Sequence, residues 1–199
     1  MDTNKHAFVG LTLIRVHSRP FIVAMACAIL AGCAGHTKLS AYSTVPDFTL
    51  TDQTGAEFQS ADHLKNAVWI ADFIYTTCPG PCPRMSSQMH QVENALDGTG
   101  VRLVSFTVDP EHDTPTVLAQ YGDHFGAKPG VWYFLTGPIA TLQHLSRDVF
   151  MLGDANLSHS TRFVLIDQAS KVRGYYESDE DGAIPRLIAD ARALVRERN

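Results

Sequence analysis

Two cysteines four positions apart are the residues of this chain whose types and spacing most clearly indicate a chemical function. Cys78 and Cys82 stand in the segment Cys-Pro-Gly-Pro-Cys-Pro, directly after an apolar, β-rich run at residues 68–75. Thiols at this spacing can close a disulfide or hold one soft metal ion, and the start of a helix favours their charged form. The pattern by itself leaves redox chemistry and metal binding both open.

The elements that must position these thiols follow from the hydrophobic pattern. Residues 68–75 are mostly apolar, as in a buried central strand, and apolar residues recur at helical spacing over about residues 83–96. Met85 and Met89 could lend thioethers to a metal, but their helical spacing favours core packing. A strand, a cysteine-bearing loop and a helix in this order are typical of the thioredoxin fold.

In the rest of the domain, predicted strands and helices also follow one another. Thr114 and Pro115 are the expected cap and first residue of a helix, and Ser60 is expected to cap a shorter one. Further elements are predicted as strands at 101–108, 132–135, 161–166 and 172–176, and as helices at 139–150 and 184–195. The fold class predicted is therefore α/β, thioredoxin-like, with a mixed central sheet flanked by helices.

Three segments, in this order, resemble the Sco/SenC family over essentially the whole domain. Residues 75–83 (YTTCPGPCP) resemble its Cys-Pro-x-x-Cys-Pro segment, and residues 108–115 (VDPEHDTP) resemble its V-D-P-x-x-D-T-P segment. His159, just before a predicted strand, matches the place of the family's metal-binding histidine. Many family members carry Asp within the cysteine loop and before this histidine, where this chain has Gly80 and Ser158.

The resemblance implies that Cys78, Cys82 and His159 are the ligands of one copper ion. Two thiolates select Cu(I), and an imidazole lets the same site hold Cu(II). The resemblance also implies that Asp109 lies near the metal and orients one of its ligands, although Asp109 and Pro110 could simply form a turn. The implied function is that of a metallochaperone whose partner is the copper-centre subunit of cytochrome c oxidase or another copper or thiol protein.

Other functions remain open on the sequence. A thiol–disulfide oxidoreductase would cycle the Cys78–Cys82 pair as a redox-active disulfide. The loop of this chain is CxxxC, however, whereas the loop of thioredoxins is CxxC. A peroxiredoxin-like peroxidase is disfavoured because Tyr75 stands where such enzymes need Thr. A copper sensor or storage protein would carry the same ligands as a chaperone.

The first 45 residues predict export and anchoring. Basic residues precede a short apolar run, residues 21–31, which is typical of a signal peptide over residues 1–32 and too short to span a bilayer. Leu-Ala-Gly-Cys ending at Cys33 resembles a lipobox, which predicts a lipidated Cys33, a flexible tether over 33–45 and a domain over 46–199. The expected location is the bacterial cell envelope, lipid-anchored and facing the periplasm. A net charge of −5 argues against a nucleic-acid partner.

Overall fold

The structure, a computed structural model, describes residues 39–153 and 160–197, which belong to one compact unit, residues 36–199. The predicted signal peptide, Cys33, Ser158 and His159 lie outside the described residues. Within the described ranges, no helix is both long enough and apolar enough to cross a membrane.

One mixed sheet organises the described residues, with the strand order β2-β1-β5-β4-β3-β6-β7. The strands are β1 (Thr49–Asp52), β2 (Glu57–Gln59), β3 (Trp69–Ile74), β4 (Arg102–Thr107), β5 (Trp132–Thr136), β6 (Arg162–Ile166) and β7 (Val172–Glu177). The central strands β3, β4 and β5 are parallel, whereas the outer pairs are antiparallel. The α/β, thioredoxin-like fold class is confirmed, and so is the predicted hairpin of β6 and β7.

Helices cover both faces of the sheet. They are α1 (Ser60–His63), α2 (Pro81–Ala95), α3 (Pro115–Phe125), α4 (Ile139–His144), which continues as a π-helical segment (Leu145–Val149), and α5 (Ala183–Glu197). Thr114 caps α3 as predicted, because its hydroxyl accepts a hydrogen bond from the Val117 N–H. Ser60 as a helix cap was wrong: Gln59 precedes α1, and the Ser60 hydroxyl accepts the Phe48 N–H instead, at 2.8 Å.

The strand before the cysteine loop is buried along its whole length. All six residues of β3 are buried. Their side chains pack into two hydrophobic cores, because successive side chains of a strand point to opposite faces of the sheet. Ile70 and Ile74 join the core that also contains both cysteines, α2 and α5, while Trp69 and Phe73 join the core on the other face. This burial on both faces explains why the run reads as continuously apolar.

The end of the predicted tether is joined to the sheet. The Tyr42 N–H donates to the Val172 carbonyl and the Val172 N–H donates to the Ser43 carbonyl, both at 2.9 Å. The buried guanidinium of Arg173 donates to the Leu39 carbonyl at 2.7 Å. The ordered contacts of the domain therefore begin before Pro46, the start that the sequence predicts.

The methionines of α2 provide a test of the core assignment. Met89 is fully buried in the core on the cysteine side of the sheet. We expect Met89→Ala to lower the free energy of unfolding by about 2–5 kcal/mol, because it leaves a cavity. Met89→Leu conserves volume and should change it by less than about 1.5 kcal/mol. Urea unfolding measures both, and an equal loss in the two variants would contradict a packing role.

Candidate metal centre

The cysteines lie at the edge of the sheet where the three parallel strands end. Because β3, β4 and β5 are parallel, their carboxyl ends share one edge. Cys78 lies in the loop between β3 and α2, Cys82 is the second residue of α2, and Asp109 follows β4. The structure thus places three of the predicted site residues at one edge. Helix α2 begins at Pro81, two residues before the predicted start, so Cys82 belongs to its first turn.

The two sulfurs are buried, free and close to each other. The exposed fractions of Cys78 and Cys82 are 5% and 4%, and neither cysteine is in a disulfide. The backbone N–H of Cys82 donates to the Cys78 sulfur at 3.5 Å, a contact made by the otherwise unpaired amides of a helix start. Within residues 39–153 and 160–197, no group of three His, Cys, Asp or Glu side chains is arranged to hold a metal ion.

The environment makes the two thiols unequal. Burial acts to raise the pKa of Cys78, but hydrogen bonds from the Cys82 backbone and thiol, the Gly80 backbone and the Tyr75 hydroxyl outweigh it and lower that pKa. Burial raises the pKa of Cys82 to about 12, and its hydrogen bond to Cys78 adds to the rise. Cys78 is therefore the more acidic of the two thiols, and Cys82 is the one that keeps its proton more firmly and donates it to the Cys78 sulfur.

Asp109 has a partner of its own in the described structure. Its carboxylate is 2.9 Å from Nδ1 of His112, whose side chain is 70% exposed. The hydrogen bond that His112 donates to Asp109, followed by the charge of that carboxylate, raises the pKa of His112. The predicted role of Asp109 in orienting a metal ligand remains a prediction.

A second carboxyl lies beneath the cysteines and was not singled out from the sequence. Asp72 is fully buried in β3, on the same face as Ile70 and Ile74, which pack in the core that contains both cysteines. Neither of its oxygens has a hydrogen-bond partner among the described residues. Burial raises its pKa to about 7, and the nearby Ser105 hydroxyl offsets the rise only in part. The one signal in the sequence is an acid inside an otherwise apolar strand.

Selective alkylation tests the inequality of the thiols. At pH 8 we expect iodoacetamide to modify Cys78 before Cys82, because only a thiolate reacts and Cys82 holds its proton up to about pH 12. Peptide mass spectrometry after partial reaction identifies the modified residue. Tyr75→Phe removes one hydrogen bond to Cys78 and should raise the pH at which that residue reacts. Earlier modification of Cys82 would contradict the assignment.

Asp72 predicts a component of stability that depends on pH. The unfolded chain ionises this carboxyl near its ordinary pKa of 3.8, whereas the folded protein holds the proton to about pH 7. Stability is therefore lost as the pH rises from about 4 to 7. Relative to the parent protein, Asp72→Asn should gain up to about 4 kcal/mol in unfolding free energy between pH 4 and pH 8.

The control for this measurement is Asp179→Asn, because Asp179 is exposed. Urea unfolding at both pH values should show no such gain for the control. An equal difference between Asp72→Asn and the parent protein at pH 4 and pH 8 would contradict a buried, proton-holding Asp72.

Comparison with known proteins places this chain in a family. The SCO1/SenC family model matches residues 36–196. A solved SCO1/SenC family lipoprotein from Bacillus anthracis is 31% identical, with a TM-score of 0.69 over 76% of this chain and 95% of that one. BsSco, described as a member of the Sco family of cytochrome c oxidase assembly proteins with a disulfide switch, is 27% identical, with a TM-score of 0.69 over 79% of this chain and 97% of that one.

A copper-bound protein shares the fold as well. Bradyrhizobium japonicum ScoI, solved with copper bound, is 23% identical, with a TM-score of 0.63 over 76% of this chain and 99% of that one. At this identity the likeness shows the fold alone. The match of the family model over most of the chain, together with the cysteine loop at the end of β3, shows that the chain belongs to the SCO1/SenC family.

Proposed function

We propose that this protein is a membrane-tethered copper metallochaperone of the cell envelope, with Cys78, Cys82 and His159 as the ligands of its copper cargo. The observation that carries the proposal is the pair of buried, free thiols of unequal acidity at the start of α2. Such a pair on a domain of this family is suited to a soft cation, which can take the place of the thiol protons.

The chemistry of the two sulfurs favours Cu(I). Cys78, whose pKa is lowered, gives up its proton more readily, and Cys82, whose pKa is raised, becomes the second thiolate by losing its proton on binding. The backbone amides at the start of α2 stabilise the negative charge, and Pro81 at the first helical position limits the reorganisation of the loop. Cu(I) affinity should therefore rise with pH, because binding releases a proton.

The third ligand rests on the family resemblance and on chain topology. Arg162, the first residue of β6, stands three positions after His159. Because β6 runs antiparallel to β3, its first residues lie at the edge where β3 ends, which is the edge of the cysteines. This topology supports His159 as the imidazole that would let the site hold Cu(II) as well as Cu(I).

The partner and the anchor belong to the same proposal. The copper would pass to the copper-centre subunit of cytochrome c oxidase or to another copper or thiol protein, in keeping with the assembly role described for BsSco. Lipidation of Cys33 after loss of residues 1–32 would hold the domain at the periplasmic face of a membrane, and the related Bacillus anthracis protein is described as a lipoprotein.

Thiol–disulfide oxidoreductase activity is the second candidate function. Its supporting observation is that Cys78 has a lowered pKa beside a protonated Cys82, the usual arrangement of an attacking and a resolving thiol. The two functions are compatible, because a reduced pair can hold Cu(I) and an oxidised pair cannot. Oxidation state would then control copper loading.

Copper titration of ligand variants tests the main proposal. Under anaerobic conditions we expect one Cu(I) per parent protein and a loss of tight binding in Cys78→Ala and in Cys82→Ala. His159→Ala should weaken Cu(II) binding most. His144→Ala is the matched control, because His144 is paired with Asp148 at 2.9 Å and is exposed. Unchanged stoichiometry and affinity in all the ligand variants would refute a Cys/Cys/His site.

A dithiol assay separates the two functions. If His159→Ala abolishes Cu(II) binding but leaves the reduction of a model disulfide at the rate of the parent protein, the oxidoreductase activity is independent of copper. If the parent protein reduces no disulfide substrate, the second function fails and the first is unaffected.

The oxidised protein provides a further test of redox control. Complete oxidation by a diazene oxidant joins the two sulfurs and releases their protons and two electrons to the oxidant. We expect the oxidised protein to bind no Cu(I), because neither sulfur retains its charge, and thiol reductants should restore binding. Stoichiometric Cu(I) on protein shown by mass spectrometry to be fully oxidised would contradict this expectation.

A further inference from the structure

A buried carboxylate connects the cysteine loop to the neighbouring strand. Asp113 has no exposed surface, yet it lies in the segment between β4 and α3, outside any strand or helix. One of its oxygens accepts the Thr76 hydroxyl at 2.5 Å, and the other accepts the Thr107 hydroxyl at 2.5 Å. The Thr76 N–H adds a bond shared between both oxygens, at 3.3 and 3.2 Å. The carboxylate thus receives three donors from two separate segments.

The two segments are those that carry the predicted site residues. Thr76 stands two positions before Cys78, and Thr107 is the last residue of β4, two positions before Asp109. The Thr107 hydroxyl also accepts the Asp109 N–H at 2.9 Å, and the Asp113 N–H donates to the Asp109 carbonyl at 2.9 Å. Asp113 therefore fixes the two loops relative to each other at the edge of the sheet where the cysteines lie.

The Thr76 bonds matter because little else holds the loop before Cys78. The Cys78 N–H makes a long bond, 3.3 Å, to the Tyr75 carbonyl, and Thr77, Pro79 and Gly80 are exposed. Cys82 is held by the first turn of α2, whereas Cys78 depends on this loop for its position. The hydrogen bonds from Thr76 to the buried Asp113 thus restrain the segment directly before Cys78.

We propose that Asp113 is a positioning residue for the dithiol: acting through Thr76, it holds the Cys78 sulfur in place over the start of α2. As far as copper is concerned, the inference rests on the proposed function. The positioning of Cys78 itself does not, because it concerns the metal-free protein. In this role Asp113 does not contact the copper ion and acts only through the loop. Residues that orient a metal ligand from outside the coordination sphere act in the same way.

A pair of substitutions at Thr76 isolates this effect. Thr76→Val is nearly isosteric but removes the hydroxyl donor to Asp113, whereas Thr76→Ser keeps it. Thr99→Val is the matched control, because Thr99 also donates a 2.5 Å bond, to the Leu96 carbonyl, and lies past the far end of α2. The three variants are compared with the parent protein in thermal stability, in the alkylation rate of Cys78 without metal, and in Cu(I) affinity against a chromogenic chelator.

We expect Thr76→Val to change the alkylation rate of Cys78 and to weaken Cu(I) binding by about tenfold, as is common when a residue that orients a ligand is altered. Thr76→Ser should stay within about twofold of the parent protein in both measurements. Thr99→Val should lower the melting temperature but leave both site measurements unchanged.

The outcomes separate the positioning role from the proposed function. If Thr76→Val lowers the melting temperature and leaves the alkylation rate as in the parent protein, Asp113 only braces the fold and the inference is overturned. If the parent protein binds no Cu(I) while Thr76→Val, but not Thr76→Ser, alters the reactivity of Cys78, the positioning role stands and the copper proposal fails.

Discussion

The unequal acidity of two neighbouring buried thiols, Cys78 and Cys82, is the constraint on which the rest of the site depends. Two sulfurs within one turn, both removed from water, cannot both be negative unless something positive lies between them or a covalent bond joins them. Hydrogen bonds lower the pKa of Cys78, and burial raises that of Cys82. Metal loading and disulfide formation are therefore alternative ways to take the protons from the same two sulfurs, which is why the two candidate functions use the same atoms.

The two buried carboxyls around the dithiol are opposite solutions to the cost of burying an acid. Asp113 stays within bonding distance of three donors, and its position fixes the loops on either side. Asp72 has no such donors among the described residues, so it keeps its proton to about pH 7. A neutral Asp72 adds no negative charge beneath the sulfurs, whereas an ionised one would oppose the second thiolate, since its charge raises the pKa of Cys82. Above pH 7, the ionisation of Asp72 therefore opposes metal binding, whereas the easier loss of the Cys82 proton favours it.

Local sequence signals predicted the elements that carry the thiols. The features that these signals did not predict depend on pairing between residues far apart in the sequence. The apolar run before Cys78 and the Thr114–Pro115 start of α3 depend on burial and capping, which a sequence displays directly. No local signal singles out Asp113, because its bonds to Thr76 exist only once β3 and β4 pair in parallel. The three-residue strand β2 is too short to show a pattern, and the pairing of residues 39–45 with β7 likewise depends on a distant partner.

Gly80 shows how a departure from the family pattern bears on the thiols. There is open space at this position, because none of the described residues comes within 4 Å of a Cβ added to Gly80. The difference is thus one of charge and not of space. An acid at this position would add a negative charge close to Cys78 and so oppose the ionisation of that thiol. Relative to family members with Asp in the loop, this chain should hold its thiolate more readily and offer less negative charge to a partner.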